Sequence, residues 1–376
     1  MNCEIEFLPV GEASKGGDAI IVRYGFADSY ELMVIDGGHA ESGAQIVDHI
    51  RKYFGEKAVL SHVVLAHSDV DHASGLRTVL SELTVNDLWM HVPWLSARGA
   101  LPYFSSKRWT PEGLERAIKK EYDIINDIVE TASGKKPFIP IYFPVTGAQI
   151  GPFRVLSPSR YVYERLLPQF DRTPDPDKAS IEADYCWIGK APPFETLTAQ
   201  VKDILEKITR KWAKETWTHE RLRDGGVASA SNESSVVLYG DFGPGRRVLL
   251  TGDAGPFALF MAANYARNAG LPLQDFMFVQ IPHHGSRRNV GPTILNEILG
   301  PVQPEGSAPQ LSAFVSAPKD DETHPRKIVL NAFMRRGCGV VATQGTSKIF
   351  WDGFPPRPNY DTANPMRFSS EVEDYD

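Results

Sequence analysis

The stretch His67-Ser68-Asp69-Val70-Asp71-His72 directly follows the apolar run Val63-Val64-Leu65-Ala66. The apolar run predicts a buried strand, and the turn after it carries two imidazoles and two carboxylates. A carboxylate buried without a partner is costly, whereas a divalent cation satisfies several such groups at once. The stretch therefore predicts a metal site. The alternative is a solvated turn in which Asp71 caps the following helix.

The spacing within this turn predicts two neighbouring cation positions. His67 and Asp69 are two residues apart, and an extended segment sends such side chains to the same side. Asp71 and His72 follow where the chain turns, so they can face a second position beside the first. One loop would then serve two cations that share a bridging oxygen.

Three other predicted strands also end in ligand-type residues. Asp36 follows an apolar strand and precedes two glycines, Asp253 ends the run 248–252, and His283 with His284 ends the run 278–282. A single aspartate at such a place equally predicts a helix cap. Together these residues lie at the edge where open sheets hold their sites.

On these motifs the chain resembles the metallo-β-lactamase superfamily of di-metal hydrolases, and more narrowly the soluble hydrolase domain of the bacterial competence DNA-uptake proteins. The resemblance reaches from the N-terminus to about Trp351, apart from a middle insertion. It implies an α/β fold, a metallo-β-lactamase-like αβ/βα four-layer sandwich with a largely helical insertion. The matching stretches are 7–11 with 17–19, 35–38, 67–76, 232–238, 250–253, 282–286 and 323–325.

The resemblance implies two divalent cations, zinc or manganese. It assigns His67 and Asp69 to the first cation, and Asp71 and His72 to the second. Asp253 would bridge both cations. His283 would complete the second position, with His284 as the alternative.

Further roles follow from the same resemblance. A water between the cations would be the nucleophile, and Asp71 would also act as the base that positions it. Asp36 would orient a ligand imidazole by a hydrogen bond. His324 would give a proton to the leaving oxygen or hold a substrate phosphate, although a histidine ahead of Pro325 is also typical of a helix N-terminus.

The chain departs from the superfamily pattern in its ligand residues. Asp69 stands where a histidine is usual. The imidazole that many members supply between the metal turn and the bridging aspartate has no counterpart, because His91 and His219 lie in unsuitable contexts, and Asn232 or Ser235 would occupy that region. The resulting oxygen-rich ligand set makes manganese a competitor to zinc. The insertion 12–16 leaves the role of the neighbouring Asp18 open.

Composition is typical of one large globular domain. Of 376 residues, 42% are hydrophobic and 23% charged, which suffices for one core. We expect a hydrolase domain over 1–360, with the insertion at about 95–230, and an acidic, flexible tail over 361–376. The absence of a long apolar run and of a secretion signal, together with three scattered cysteines, predicts a cytoplasmic protein without membrane contact.

Charge limits the expected partners. A net charge of −7 argues against a broad nucleic-acid-binding face. Arg287 and Arg288 follow the paired histidines and are expected at the mouth of the site, where they would steer a phosphate, or else they are solvated loop residues. Trp212 and Trp217 predict either a base-stacking platform or burial against the main domain.

The predicted elements suit the sandwich. The strands are expected at 5–10, 19–24, 32–35, 62–66, 153–156, 235–239, 247–251, 276–281, 312–316, 340–343 and 348–351. The helices are expected at 42–54, 111–132, 196–212, 256–268 and 325–336.

The hypothesis for function is a metal-dependent phosphodiesterase or nuclease-like hydrolase, with a nucleic acid or nucleotide as substrate. One alternative is a hydrolase of carboxylic esters, lactones or β-lactams. The other is a catalytically silent binding module that a metal stabilises.

Overall fold

Two mixed β-sheets form the centre of the fold. The computed structural model describes residues 1–13, 15–185, 212–358, 360 and 362–375. Within them lie two seven-stranded sheets and one two-stranded sheet. In spatial order the first sheet contains β15 (Lys348–Asp352), β1 (Asn2–Phe7), β2 (Ile20–Phe26), β3 (Ser29–Ile35), β4 (Val59–Val64), β5 (Thr84–Trp89) and β6 (Ile141–Tyr142).

The second sheet has the same number of strands. In spatial order it contains β14 (Cys338–Ala342), β13 (Leu311–Val315), β12 (Phe276–Gln280), β11 (Arg247–Leu250), β10 (Val237–Asp241), β8 (Phe153–Ser157) and β7 (Gln149–Ile150). Strands β11 to β14 are parallel, as are β3 to β6 in the first sheet. Their carboxyl ends therefore carry the loops that can meet at one edge.

The sheets pack face to face through an aromatic core. Phe7 of the first sheet contacts Phe278 and Phe314 of the second, with ring centroids 6.0 and 5.8 Å apart. Alternate residues of β1, Cys3 and Ile5, join the same cluster. These contacts form the interface between the two sheets, which are the two inner layers of an αβ/βα sandwich.

Helices cover both outer faces, which completes four layers. The helix α1 (Ala40–Phe54) buries Ile46, Val47 and Ile50, which recur at helical spacing. Among the described residues, no helix is both long and apolar enough to cross a membrane. The other helices are α2 (Val70–Ala73), α3 (Leu76–Glu82), α4 (Ala97–Ala100), α5 (Pro111–Glu121), α6 (Asp123–Gly134), α7 (Arg160–Leu166), α8 (Lys178–Tyr185), α9 (Ala230–Glu233), α10 (Pro256–Asn268), α11 (Pro292–Leu299) and α12 (Lys327–Arg335).

The predicted sandwich is confirmed, and the middle of the chain differs from the prediction in one respect. The segment 95–230 is helical in α4 to α8, but 141–157 supplies β6 to the first sheet and β7 and β8 to the second. This part of the expected insertion thus belongs to the two sheets. The strand expected at 153–156 is β8, whereas β6 and β7 were not predicted because they have only two residues each. The predicted helix 196–212 lies outside the described residues except for its last residue.

The C-terminal segment differs more strongly, because it is docked where we expected a flexible tail. Strand β16 (Glu371–Glu373) pairs with β9 (Trp212–Lys214), and the Val372 side chain is fully buried. Glu373 accepts hydrogen bonds from the first backbone N–H groups of α12, so its charge stabilises the helix N-terminus. The acidity that predicted disorder is used for specific contacts.

A buried ion pair joins the segment that follows β9 to α12. Glu215 and Arg335 are 3.0 Å apart, and both side chains are fully buried. We expect Glu215→Ala to lower the free energy of unfolding by about 3–5 kcal/mol, because it leaves the guanidinium of Arg335 buried without its carboxylate. Urea unfolding of the metal-free protein, followed by circular dichroism, measures this loss.

The matched control is Glu82→Ala, which breaks an Arg–Glu pair of similar length, 3.1 Å, on the surface. Exposed pairs contribute about 1 kcal/mol or less. If the two variants unfold at the same urea concentration, the burial argument is wrong.

Candidate metal centre

The candidate metal centre lies where strand ends from both sheets meet. Asp36 follows β3, His67 follows β4, Asp253 follows β11, and the pair His283-His284 follows β12. Each of these strands runs parallel to a neighbouring strand of its sheet: β3 to β4, and β11 to β12. The sequence placed the residues at one edge, and the structure brings them together.

The donor atoms are spaced as ligands of shared cations would be. The Oδ2 atom of Asp253 lies 3.4 Å from Nε2 of His72 and 3.8 Å from Nε2 of His67. The His67 Nε2 atom is in turn 3.4 Å from Oδ2 of Asp69. Two donors on one tetrahedral cation, each about 2.1 Å from it, are roughly 3.4 Å apart. Cations therefore fit between these atoms without rearrangement of the backbone.

Several of these atoms have no hydrogen-bond partner among the described residues. They are buried Nε2 atoms of His67, His72 and His284, together with Oδ1 of Asp253. Buried polar atoms are normally paired, and leaving four of them unpaired at one place would be costly. A pair of divalent cations would satisfy them, so the residues present fit the group that the sequence predicts.

There are three groups of residues in which the donor atoms lie within 4.8 Å of one another, and His72 belongs to all three. One group is His67, His72 and Asp253, and the second is Asp71, His72 and His284. Because both groups contain His72, they lie side by side. The third group adds Asp18 and Asp36 behind His72.

The structure corrects one assignment, because His284 and not His283 lies beside Asp71 and His72. His283, His284 and Gly285 all have left-handed backbone torsions, with φ of 46°, 54° and 81°. This turn separates the two imidazoles, whose ring centroids are 5.6 Å apart. Sequence adjacency alone could not tell which ring faces which position. The Nδ1 atom of His284 lies 3.1 Å from the carbonyl oxygen of Ser316, which leaves Nε2 for a cation.

Asp36 is placed as expected for a residue that orients a ligand. Its carboxylate is fully buried, accepts the N–H of Ala66 and lies 2.7 Å from Nδ1 of His72. Burial would lower the pKa of His72, but Asp253 and Asp36 on either side raise it well above its ordinary value. The two carboxylates thus favour positive charge at this place.

The short helix α9 occupies the region where the expected imidazole is absent. The Ser231 hydroxyl donates to Oδ1 of Asp69 at 2.6 Å, and the Asn232 amide lies 2.9 Å from Nδ1 of His283. Glu233 accepts backbone N–H groups at the start of α10, and burial raises its pKa to about 7. Of the two residues predicted for this region, Asn232 is the one in contact with a histidine.

A buried side-chain bridge gives Asp18 the role that the sequence left open. Gln280 donates from Nε2 to the Asp18 carboxylate at 2.7 Å. Its Oε1 accepts the backbone N–H groups of Thr251 and Gly252 at 2.9 and 3.0 Å. The bridge joins the glycine loop to the backbone that leads into Asp253, so it fixes where that carboxylate lies.

His324 lies at the rim of the site, next to His283, with the two rings nearly parallel and 6.4 Å apart. Its Nδ1 is 2.9 Å from Oγ1 of Thr323 and 3.5 Å from Oδ2 of Asp321. Asp321 also accepts two backbone N–H groups, from Thr323 and His324. Sequence analysis missed Asp321, although a carboxylate three residues before a candidate proton donor was a signal for it.

A cavity of about 490 Å³ opens beside the metal centre. Its wall includes His283, Asn232 and two basic residues, Arg288 and Lys178. The expectation for Arg287 is wrong, because this side chain is buried and its guanidinium donates to the carbonyl oxygen of Asp374. Arg287 contacts the docked C-terminal segment, whereas Arg288 lines the cavity. The sequence did not predict this difference because it did not predict that the C-terminal segment is docked.

Other residues considered from the sequence lie away from the centre. The His91 ring stacks on Tyr163 at 4.0 Å in the core, and burial lowers its pKa to about 3. Trp217 packs on Phe368 and donates to the carbonyl of Gln303. Burial against the main domain, the alternative to base stacking, therefore describes Trp217, whereas the Trp212 side chain is about half exposed.

Comparison with known proteins finds remote similarity in structure alone. No family model matches the chain, and no curated protein matches it. A long-form RNase Z from yeast has a TM-score of 0.38 at 10% identity, with 93% of this chain and 42% of that one covered. The present chain thus spans less than half of the RNase Z.

Two further solved structures are similar. A diphosphatase of the PhnP family has a TM-score of 0.38 at 10% identity, with 93% of this chain and 98% of that one covered. A subclass B3 metallo-β-lactamase from a soil metagenome has a TM-score of 0.29 at 13% identity, with 78% and 87% covered. At such values no activity is carried over from these proteins.

Proposed function

We propose that the protein is a metal-dependent hydrolase that binds two divalent cations, zinc or manganese, and cleaves a phosphodiester. The observation that carries this proposal is the set of buried donor atoms without partners, on His67, His72, His284 and Asp253. A purely structural turn would pair these atoms with each other or with the backbone. Their convergence beside an open cavity supports a catalytic site.

The chain's residues would hold two cations in unequal surroundings. His67, Asp69 and Asp253 surround the first position, and Asp71, His72 and His284 the second, with Asp253 within reach of both. When bound, the cations supply an acidified water as nucleophile and neutralise charge that develops on the substrate. Asp71 orients that water, and His324 gives a proton to the leaving oxygen from the rim.

The cavity beside the metal centre supports the preference for a phosphodiester. The wall carries two basic residues, Arg288 and Lys178, and two acidic ones, Asp171 and Asp175. Arg288 would bind a phosphate, since guanidinium groups bind phosphate through paired hydrogen bonds. A volume of about 490 Å³ accommodates a nucleotide or the end of a nucleic-acid strand. The motif resemblance to the hydrolase domain of competence proteins favours the same substrate class. The overall charge of −7 argues against tracking along a long duplex.

An activity panel with defined metals tests the proposal. The metal-free protein is reconstituted with Zn²⁺ or Mn²⁺ and assayed on bis(p-nitrophenyl) phosphate, a dinucleotide, a lactone and a β-lactam. We expect metal-dependent turnover of the phosphodiesters. Turnover of the lactone or β-lactam alone would favour the carboxylic ester alternative. Metal binding without turnover of any substrate would favour the catalytically silent module.

Arg288 is expected to act on the substrate and not on the cations. We expect Arg288→Ala to raise the KM for an anionic substrate by about tenfold, the value of one hydrogen-bonded charge pair, with little change in kcat. The slope of log(kcat/KM) against log[salt] should become less steep by about one unit, which is the contribution of one neutralised phosphate. Steady-state kinetics at several salt concentrations measure both effects.

The control for this prediction is Arg98→Ala, which removes an arginine that is 79% exposed and lies outside this cavity. We expect kinetics like those of the wild type. If the two variants behave alike, Arg288 is not part of the substrate path.

A further inference from the structure

Asn289 controls which nitrogen of His283 carries the proton. Asn289 is fully buried, and its Nδ2 donates to the backbone carbonyl oxygens of Asp253 and Ala254 at 2.8 and 3.4 Å. These two acceptors fix the direction of the carboxamide, so the atom that faces His283 is its oxygen. This Oδ1 lies 2.9 Å from Nδ1 of His283. An oxygen can only accept there, so Nδ1 of His283 must carry the hydrogen.

A second amide touches the same nitrogen and has to agree with this assignment. The nitrogen of the Asn232 carboxamide stands 2.9 Å from Nδ1 of His283. The two ends of a carboxamide are distinguished by their partners alone. Because Asn289 is held by two backbone carbonyls, we infer that Asn289 determines the tautomer. This requires the carboxamide of Asn232 to be rotated by half a turn, so that its oxygen and not its nitrogen faces the same N–H.

The tautomer leaves the Nε2 atom of His283 with a lone pair that points toward the metal centre. That atom lies 3.8 Å from Oδ2 of Asp253, the same oxygen that faces His67 and His72. Two electron-pair donors facing each other across this distance repel unless a cation or a proton lies between them. The spacing is close to the distance of roughly 3.4 Å between two ligands of one tetrahedral cation.

The position beside His67 could take such a ligand. His67 lies 3.4 Å from Oδ2 of Asp69 and 3.8 Å from Oδ2 of Asp253, whereas the donor atoms of His284 lie with those of Asp71 and His72. A catalytic cation takes three protein ligands and a water, and it can expand to five ligands, so a further imidazole could join without displacing the water. The left-handed turn at 283–285 is what allows adjacent histidines to reach two positions.

We propose that the adjacent histidines serve different cations: His283 binds the one held by His67, Asp69 and Asp253, with Asn289 as its positioning residue, and His284 binds the other. This inference rests on the proposed function. It assigns the first position a fourth protein ligand from a distant part of the chain. It also makes Asn289 necessary for metal binding although Asn289 touches no cation.

Metal stoichiometry tests the division of the two histidines. Zn²⁺ and Mn²⁺ binding is measured by equilibrium dialysis and elemental analysis for the wild type, His283→Gln, His284→Gln and the double variant. We expect two ions in the wild type and one tight ion in each single variant, with the affinity for the other reduced by about a hundredfold. The double variant should bind neither tightly. Asn289→Leu should weaken one ion by about ten- to a hundredfold, as loss of an orienting partner does.

Nitrogen NMR of the metal-free protein tests the tautomer without relying on any variant of Asn289. With ¹⁵N-labelled histidine, and with His283→Gln to assign the signals, His283 should show a protonated Nδ1 and an unprotonated Nε2. The opposite tautomer would overturn the role of Asn289. Unchanged binding of both ions in His283→Gln would overturn the role of His283, as would a double variant that binds no more weakly than His284→Gln.

Failure of the proposed function has a different signature. A wild-type protein that binds neither ion contradicts the metal centre as a whole. A wild type that binds two ions, with His283→Gln unaffected, contradicts only the division of the histidines. Asn264→Leu, on the half-buried surface of α10 and remote from His283 in sequence, is the control for Asn289→Leu and should bind both ions like the wild type.

Discussion

Replacing Asp253 with alanine is expected to remove both cations and to lower kcat/KM by on the order of a thousandfold or more, because its carboxylate would be shared by the two proposed positions. Its Oδ2 atom lies within 3.8 Å of Nε2 atoms of three histidines, His67, His72 and His283. Burial would raise the pKa of Asp253, but the neighbouring imidazole of His72 outweighs this and holds it well below its ordinary value. The carboxylate is therefore charged and ready for metal at neutral pH.

The measurement combines elemental analysis of purified protein with assay of a phosphodiester. Asp28→Asn, an exposed carboxylate in the turn between β2 and β3, is the control and should bind both ions. Retention of two ions per chain in Asp253→Ala would contradict the bridging role. Loss of activity with both ions retained would assign Asp253 to the substrate instead.

His324→Gln is expected to lower kcat by about 10²–10⁴-fold, the contribution of a positioned proton donor, and to leave metal content unchanged. Thr323 and Asp321 orient its imidazole through Nδ1, which leaves the other nitrogen for the substrate. Cleavage of a substrate whose leaving group needs no proton should be slowed less by this substitution. We therefore expect a much smaller loss with bis(p-nitrophenyl) phosphate than with a dinucleotide, whose alkoxide leaves poorly.

The comparison of the two substrates separates proton transfer from other roles of His324. An equal loss on both would argue for phosphate binding or structure, and loss of a metal ion would make His324 a ligand. His219→Gln is the matched control, since that side chain is exposed and its segment is held by a backbone carbonyl that accepts from Arg335. It should have wild-type kinetics.

The sequence predicted the sheets well where strands are long and apolar. Apolar runs that end in glycine or aspartate, such as those before Asp36 and Asp253, are strands in the structure because both faces of a central strand are covered. The two-residue strands β6 and β7 carry too little pattern to be recognised. The C-terminal strand was missed for another reason: Val372 is a single apolar residue among acids, and its burial depends on the pairing of β16 with β9.

The candidate site was predicted where ligand types follow strands, and less well where loops decide geometry. His67, His72 and Asp253 converge because parallel strands deliver them to one edge. Which of His283 and His284 faces a given position depends on three backbone torsions that no local pattern encodes. Asp321 and Asn289 were missed because each acts through a neighbouring histidine, and polar residues on loops are more often solvated.

The Gln280 bridge constrains how this site can diverge among homologous chains. Its amide gives a hydrogen to Asp18 while it receives two from the backbone at Thr251 and Gly252. Glutamate at 280 would set a second negative charge against Asp18, and lysine would keep the contact to Asp18 but abandon the two N–H groups. Positions 18 and 280 should therefore change together during evolution, and an alignment of homologues should reveal them as a correlated pair 262 residues apart.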